Sequence, residues 1–287
     1  MRAEPSGGPE MAVVVMAYGI RPTLPAAVRS VQTQAPAAEV IVVHSGPGDA
    51  AASLRQAGVS VRVVRSETRL LPGGARNLGI AETRAPWIAF LADDCIAEPG
   101  WISRRLAAHR EGHQAVASAL LCHAPGNPVA LAAHLSLFVR RMPHLPGHEV
   151  LLYGVSYARS LFDRYGLFRD DIEGGEDTEF NARLGPADRP VWRPEVLTTH
   201  CGVTRLGPFL AGQARRGRRM AESSLAIGRA DSAGVARNVL RRTGHVRRLS
   251  RLAMRDEHRV SRAISIPLIW LGNMAYAWGA WRTGRKP

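Results

Sequence analysis

Apolar residues fall in short continuous runs from Met11 to about Leu121, and the stretches between them carry helical spacing. Ala12–Ala17 is the first run. Thr23 then offers an N-cap, Pro25 sits in the first turn, and Leu24, Val28 and Val31 share one face. Val40–Val43 is the second run, and Asp49 caps a following helix that stops at Gly58. Val59, Val61 and Val63 alternate as a strand does, a helix covers Gly73–Arg84, and Trp87–Leu91 closes the series. Short apolar strands separated by helices predict a mostly parallel sheet covered on both faces. Ligands of such sheets gather at the carboxyl ends of the strands. Three segments occupy such ends: Tyr18–Arg21, His44–Gly48 and the carboxylate pair Asp93–Asp94.

Beyond Leu121 the pattern is mixed. Ala130–Arg140 reads as a helix, Val150–Val155 as a strand and Arg159–Gly166 as a short helix. Val191–Leu197, interrupted by Pro194, reads as an edge strand, and Pro208–Arg229 and Gly234–His258 as basic helices. Ala263–Trp281 holds no charge and has Arg on both sides. A spanning helix needs ~20 apolar residues, and Pro267, Gly272, Asn273 and Gly279 interrupt this one. A helix lying in a cytoplasmic leaflet, with Trp270, Tyr276, Trp278 and Trp281 at headgroup level, suits the pattern best. A spanning helix and a buried core helix are the alternatives.

Charge sharpens this division. The formal net charge is +14, yet residues 1–200 hold 20 Arg against 20 Asp and Glu, so residues 201–287 supply all of it. The N-terminal two thirds reads as a neutral globular body, and the rest as a surface for something anionic: nucleic acid, phospholipid or a phosphorylated substrate. A hydrophobic content of 46% excludes general disorder. Cys95, Cys122 and Cys201 have neither zinc nor disulfide-framework spacing, and the opening MRAEPSGGPE lacks the apolar core of a signal peptide. The expectation is a cytoplasmic protein, peripheral on the inner face of the membrane.

The candidate chemistry is acidic. Besides Asp93–Asp94, the segment GGEDTEFNARL puts Glu176 and Asp177 after a glycine turn at the head of a helix. One pair can hold a cation against phosphate oxygens while the other takes a proton from an attacking hydroxyl. Asp177 is the favoured base; its plainer reading is a charge that stabilises a helix start. Glu176 is the alternative, pointing inward or binding an acceptor hydroxyl. Arg76 and Asn77 lie on a helix that opens at Gly73–Gly74, where backbone amides favour anions. His109 and His113 lack the zinc-protease pattern and read as exposed, and Cys95 reads as a packing residue.

Five stretches, in order, resemble the inverting nucleotide-sugar glycosyltransferases of family 2. VVVMAYGI resembles their opening strand and nucleotide-contacting turn, and GGARNLGIAETRAPWIAFLADDCIAEPGW resembles the Ala-Arg-Asn-x-Gly helix followed by the strand that ends in a DxD-type metal motif. LLYGVSYARSLFDRYGLF is similar to the acceptor-side strand and helix, GEDTEFNARL to the helix that supplies the base, and PVWRPEVLTTH to a segment ending in a histidine near the diphosphate. The resemblance covers about residues 12–217. His44 stands where the family usually carries Asp, and Ala92-Asp93-Asp94 replaces a motif that often begins with Asp.

What the resemblance implies is an α/β GT-A fold, Rossmann-like, with a mostly parallel mixed sheet flanked by helices and a basic helical C-terminal extension. The catalytic domain would span 11–204 and the basic helical region 205–287, with a membrane-associated helix at 263–281. Asp94, Asp93 and His200 would hold Mg²⁺ or Mn²⁺. Ala17, Tyr18, Gly19, His44, Arg76, Asn77 and Asp93 would contact the nucleotide-sugar donor, and Asp177, with Glu176 beside it, would activate a hydroxyl acceptor (a saccharide, a lipid-linked group or a small molecule). An anionic membrane surface is the expected further partner. A nucleic-acid partner is not expected, because no recognised DNA- or RNA-binding motif accompanies the charge. The rival readings are a nucleic-acid-binding protein built on the Arg-rich helices and a family member that binds sugar nucleotide without turning it over.

Overall fold

A computed structural model of the chain describes residues 8–34, 38–226, 232–254 and 258–283. It divides into two units: Met1–Leu121 with Leu151–Thr199, and Cys122–Val150 with His200–Pro287.

The first unit carries the sheet. Strands β1 (Met11–Tyr18), β2 (Ala38–Ser45), β3 (Arg62–Arg65) and β4 (Trp87–Ala92) alternate with helices α1 (Leu24–Gln32), α2 (Ala50–Gln56) and α3 (Pro72–Ala81). The order is β3-β2-β1-β4-β7-β6-β8-β5, with β5 at Cys95–Ala97, β6 at Ala115–Cys122, β7 at Ser156–Ala158 and β8 at Val191–His200. The first four strands pair in parallel, whereas β7 is antiparallel to both β4 and β6. Apolar layers cover both faces of this sheet, which is why its strands read as continuous apolar runs. Asp49 caps α2 through the Ala52 N–H at 3.0 Å.

Three expectations for the first unit need correction. No strand forms over Val150–Val155; β7 begins at Ser156 instead. Gly154 takes a positive φ of 61°, and its carbonyl is bonded by Arg105 Nη2 and Ser118 Oγ, both at 2.9 Å, so the backbone there has left the ladder. Val191–Leu197 is not an edge: β8 lies between β6 and β5. Pro194 fits because β5 is only three residues long and meets β8 near Leu197, whose carbonyl accepts from the Glu98 N–H at 3.0 Å. His109 is buried, not exposed. On α4 (Trp101–Arg110) its ring stacks on Trp87 at 4.0 Å and bonds the Ser156 hydroxyl at 2.9 Å and the His113 carbonyl at 2.7 Å. Burial, the largest cause, holds its pKa down at about 4. Cys95 is a buried packing residue.

The second unit is helical. It gathers α5 (Pro128–Phe138), α8 (Leu206–Ala226), α9 (Ser232–Ala253) and α10 (Arg259–Thr283) around a core that includes Leu131, Leu135, Leu249 and Ile269. The division therefore does not fall at residue 204: the helix read at Ala130–Arg140 groups with the C-terminal helices, because its apolar side chains pack on theirs. The basic helix read at Gly234–His258 ends at Ala253, and residues 227–229, the end of the other, lie outside the described residues. Helices α8 and α10 meet through glycine. A Cβ on Gly217 would stand 1.9 Å from the Tyr276 carbonyl oxygen, and one on Gly279 2.0 Å from that of Ala214.

Candidate active site

Parallel register brings the carboxyl ends of three strands together. Tyr18 of β1 is opposite Ser45 of β2, and Met16 is opposite Ala92, the last residue of β4. Two backbone bonds extend these ladders past the strand ends: the Gly19 N–H to the Ser45 carbonyl at 2.9 Å, and the Asp93 N–H to the Met16 carbonyl at 3.1 Å. Ala17, Tyr18, Gly19, His44, Asp93 and Asp94 thus share one edge of the sheet. Glycines shape the rim. Gly46 has φ of 88°, and a Cβ there would stand 2.8 Å from the Tyr18 ring, so the turn after β2 closes on that ring only with glycine.

Asp93 is buried and its Oδ2 has no hydrogen-bond partner. Its Oδ1 lies 3.4 Å from Arg21 Nε, while Arg21 Nη1 donates to Asp94 Oδ2 at 2.8 Å. Burial pushes the Asp93 pKa up to about 6; Arg21 opposes the rise and Asp94 adds to it. One guanidinium therefore bridges both carboxylates and offsets only part of their cost. Adjacent carboxylates are hard oxygen donors, and a buried orphan oxygen is an open ligand position, so they fit a Mg²⁺ or Mn²⁺ ion that completes its shell with phosphate and water. Among the described residues no group of three or more His, Cys, Asp and Glu is assembled for a metal. His200 opens the second unit, where its ring meets Phe138 at 4.8 Å and its carbonyl accepts from the His123 N–H.

His44 ends β2 almost wholly buried, and its Nε2 is also without a partner. Desolvation first and Arg65 second hold its pKa below the ordinary histidine value, so the neutral ring prevails at pH 7.

The second acidic pair splits by environment. Helix α7 (Glu176–Arg183) starts after Gly175, whose φ is 86°. Glu176 turns inward and pairs with Arg76 of α3; both side chains are largely buried. The Arg76 guanidinium also lies over the rings of Phe168 and Phe90, at 5.2 and 5.6 Å. Asn77 is held from both ends by Phe168: its amide donates to the Phe168 carbonyl at 2.8 Å and its oxygen accepts from the Phe168 N–H at 3.0 Å. These two side chains anchor the loop before α7. Asp177, by contrast, is half-buried; its Oδ1 accepts from the Thr178 N–H at 2.8 Å, and the Thr178 hydroxyl reaches the Tyr153 hydroxyl at 3.1 Å. Sequence reasoning left Arg21 without a role, although it ends one of the strand-end segments. A cation three residues past a strand, facing a carboxylate pair at the next strand's end, is the signal that could have found it.

Residues 12–154 match the family model "Glycosyl transferase family 2". The succinoglycan biosynthesis protein ExoO of Rhizobium meliloti is 35% identical over 101 residues, 34% of this chain and 29% of that protein. A pre-mycofactocin glycosyltransferase of Mycobacterium tuberculosis is 32% identical over 154 residues, 50% of this chain and 33% of that one. The chain spans about a third of the length of these curated relatives. Among solved structures, the mannosyltransferase PcManGT of Pyrobaculum calidifontis, in complex with GDP-Man and Mn²⁺, superposes with a TM-score of 0.58 at 15% identity, covering 97% of this chain and 88% of that one. Glucosyl-3-phosphoglycerate synthase of M. tuberculosis, in complex with Mn²⁺, UDP and phosphoglyceric acid, gives 0.53 at 21% identity over 78% and 80%. The curled, mostly parallel sheet is that of the GT-A glycosyltransferases, and by the match over residues 12–154 this chain belongs to glycosyl transferase family 2.

Proposed function

We propose that the chain is a divalent-metal-dependent glycosyltransferase that moves a sugar from a nucleotide-sugar donor to a hydroxyl acceptor, with inversion at the anomeric carbon. The observation that carries the reading is the buried Asp93 carboxylate, with an unpartnered Oδ2, beside Asp94 at the carboxyl end of a parallel strand. The solved relatives crystallised with GDP-Man or UDP and with Mn²⁺ support the donor class and the metal.

Asp94 and Asp93 would hold the cation. When bound, the metal neutralises negative charge on the departing diphosphate. The carboxyl ends of β1 and β2, from Ala17 to Gly19 and at His44, face the nucleotide. His44 is neutral and desolvated, so it accepts or donates one hydrogen bond where a carboxylate would only accept. Asp177 takes the proton of the acceptor hydroxyl as that oxygen attacks the anomeric carbon; the carbon–oxygen bond to the diphosphate breaks, and its electron pair leaves with the nucleotide. Glu176, locked to Arg76, fixes the first turn of α7 so that Asp177 alone is available as base. Positioning the two reactants carries much of the rate. The acceptor is a saccharide, a lipid-linked group or a small molecule. An anionic membrane surface is the further partner, on the charge of the C-terminal third.

The test is a thermal-shift screen of nucleoside diphosphates with Mn²⁺ or Mg²⁺, followed by turnover of the matching sugar nucleotide. A ligand at 100 times its Kd adds ~2.7 kcal/mol of stability. Asp177→Asn should bind donor as the parent does and lose ~10²–10⁴-fold in turnover. Metal-independent nucleotide binding, or turnover within a few-fold of the parent, overturns the reading.

A further inference from the structure

Helix α10 is two-faced. One side is built into the second unit: Ser265, Ile269, Gly272, Asn273, Tyr276 and Gly279 are buried, and the Asn273 amide donates to the Thr243 hydroxyl at 2.8 Å. The other side is a continuous apolar stripe. Val260, Ile264, Leu271, Met274, Trp278 and Trp281 are all exposed, Val260 by 66% and Trp278 by 52%. With the exposed Pro267 they advance in alternating steps of four and three residues, the spacing of one helix face. At 1.5 Å per residue the stripe is ~32 Å long. A patch of this kind, bare of charge along its whole length, marks an interaction surface.

We propose that this face of α10 lies in the headgroup region of an anionic lipid leaflet, parallel to the membrane plane. Charge selects the occupant. The helix has no acidic residue, and the exposed Arg259 and Arg282 bracket the stripe, within a third of the chain that holds the entire +14. A second copy laid along the same face would set arginine near arginine at both ends, with no carboxylate on either helix to offset them. A phosphate backbone would find an apolar stripe between the cations. An anionic leaflet satisfies both parts: acyl chains take the stripe, headgroups take the arginines, and Trp278 and Trp281 sit where aromatic rings prefer to be. Geometry selects the orientation. Among the described residues no helix is long and apolar enough to cross a membrane, and the side of α10 bearing Asn273 is already packed in protein, so only one face can meet lipid.

The inference rests on the membrane partner named above but not on the transfer chemistry, and its test needs no donor. The whole chain is sedimented with phosphatidylcholine vesicles containing a third phosphatidylglycerol, and with phosphatidylcholine alone. The parent should partition onto the anionic vesicles, more weakly onto the neutral ones, with a blue shift in tryptophan emission. Leu271→Glu with Trp278→Glu changes only exposed positions, so it should keep the parent's thermal midpoint and metal-dependent nucleotide binding while losing at least tenfold in partition. Ile264→Glu alone gives a second, milder reading of the same face. A parent that stays in the supernatant, or a folded double variant that sediments as the parent does, overturns the proposal. So does a parent that is dimeric in lipid-free buffer and becomes monomeric in the double variant, because the face would then belong to a second copy. Loss of nucleotide binding in all forms would instead sink the transferase reading and leave this one standing.

Discussion

Replacing Arg76 by Leu removes one member of a buried ion pair and leaves the other in place. The Glu176 side chain is 7% exposed, so its carboxylate keeps its desolvation cost and loses its counter-charge. Breaking a buried pair from one side typically costs ~3–5 kcal/mol. Lost contact of the guanidinium with Phe90 and Phe168 falls within that figure. For a unit of this size each kcal/mol moves the midpoint by ~2–4 °C, so Arg76→Leu should melt roughly 6–20 °C below the parent. The double variant Arg76→Leu with Glu176→Leu removes both charges and should recover most of that loss, since apolar replacement of a whole buried pair is often neutral or better. Differential scanning calorimetry and urea unfolding of the parent, Arg76→Leu, Glu176→Leu and the double variant close the cycle. Turnover adds a reading that stability alone does not move: the double variant, stable again, should remain slow with donor affinity unchanged, because Glu176 no longer ties the first turn of α7 to α3. An Arg76→Leu protein within about 1 kcal/mol of the parent would refute the reasoning, since it would mean that water reaches the pair. A double variant with full turnover would remove the positioning role.

Other outcomes follow from the same geometry. Arg21 bridges Asp93 and Asp94, so Arg21→Ala should bind Mn²⁺ in the absence of nucleotide about two- to tenfold more tightly, the scale of a half-exposed pair (~0.4–1.4 kcal/mol); weaker binding by titration calorimetry would show that Arg21 helps hold the cation. His109, with its pKa held at about 4, takes up a proton on unfolding at any pH between that value and ~6.5. Its share of stability is therefore present above pH ~6.5 and is lost as pH falls towards 4, by about 3 kcal/mol in all. Urea midpoints of the parent should fall across that window more steeply than those of His109→Gln, and parallel curves would refute the assignment.

Much of the candidate site's placement was legible because it depends on where elements end. Apolar runs stop where a strand leaves the core, so His44 and Asp93–Asp94 could be placed at carboxyl termini without knowing the strand order. The glycine turn before Glu176 was equally plain, since a helix start preceded by Gly-Gly announces itself locally. What could not be read was partnership across the fold. Glu176 and Asp177 look alike as a dipeptide, and only Arg76, a hundred residues away, makes one a buried structural anion and leaves the other half-exposed. His109 failed for a different reason. Arg104, Arg105, His109 and Arg110 give helix α4 a polar cast, yet Trp101, Arg105 and His109 stand four apart and share one face. That face is buried because Arg105 lies over the Trp101 ring at 4.1 Å and donates to the Val116 carbonyl at 2.9 Å. Spacing held the information, but the residue types masked it.

The C-terminal segment shows why alternatives that look exclusive in a sequence need not be so. A core helix and an interfacial helix were opposed because each makes a demand on the same apolar residues of Ala263–Trp281. The structure meets both by giving the small and polar residues, with Ile269 and Tyr276, to the protein. Gly279 and Ala280 let α8 approach to backbone contact, Gly272 leaves room for the Phe209 ring, Asn273 finds its hydroxyl partner inside, and the bulky Leu271, Met274, Trp278 and Trp281 are left outside. An amphipathic helix normally buries its large side chains and exposes its small ones, because burial of apolar area drives folding. Here it holds only in part, since Ile269 and Tyr276 are buried among the small residues while Trp278 and Trp281 are exposed. Of the residues that interrupted the apolar run, and so argued against a membrane span, Gly272, Asn273 and Gly279 bind α10 to its own unit, while Pro267 lies on the outer face. Deleting Ala263–Pro287 would therefore remove core and surface together. Substitutions confined to the outer face separate the two.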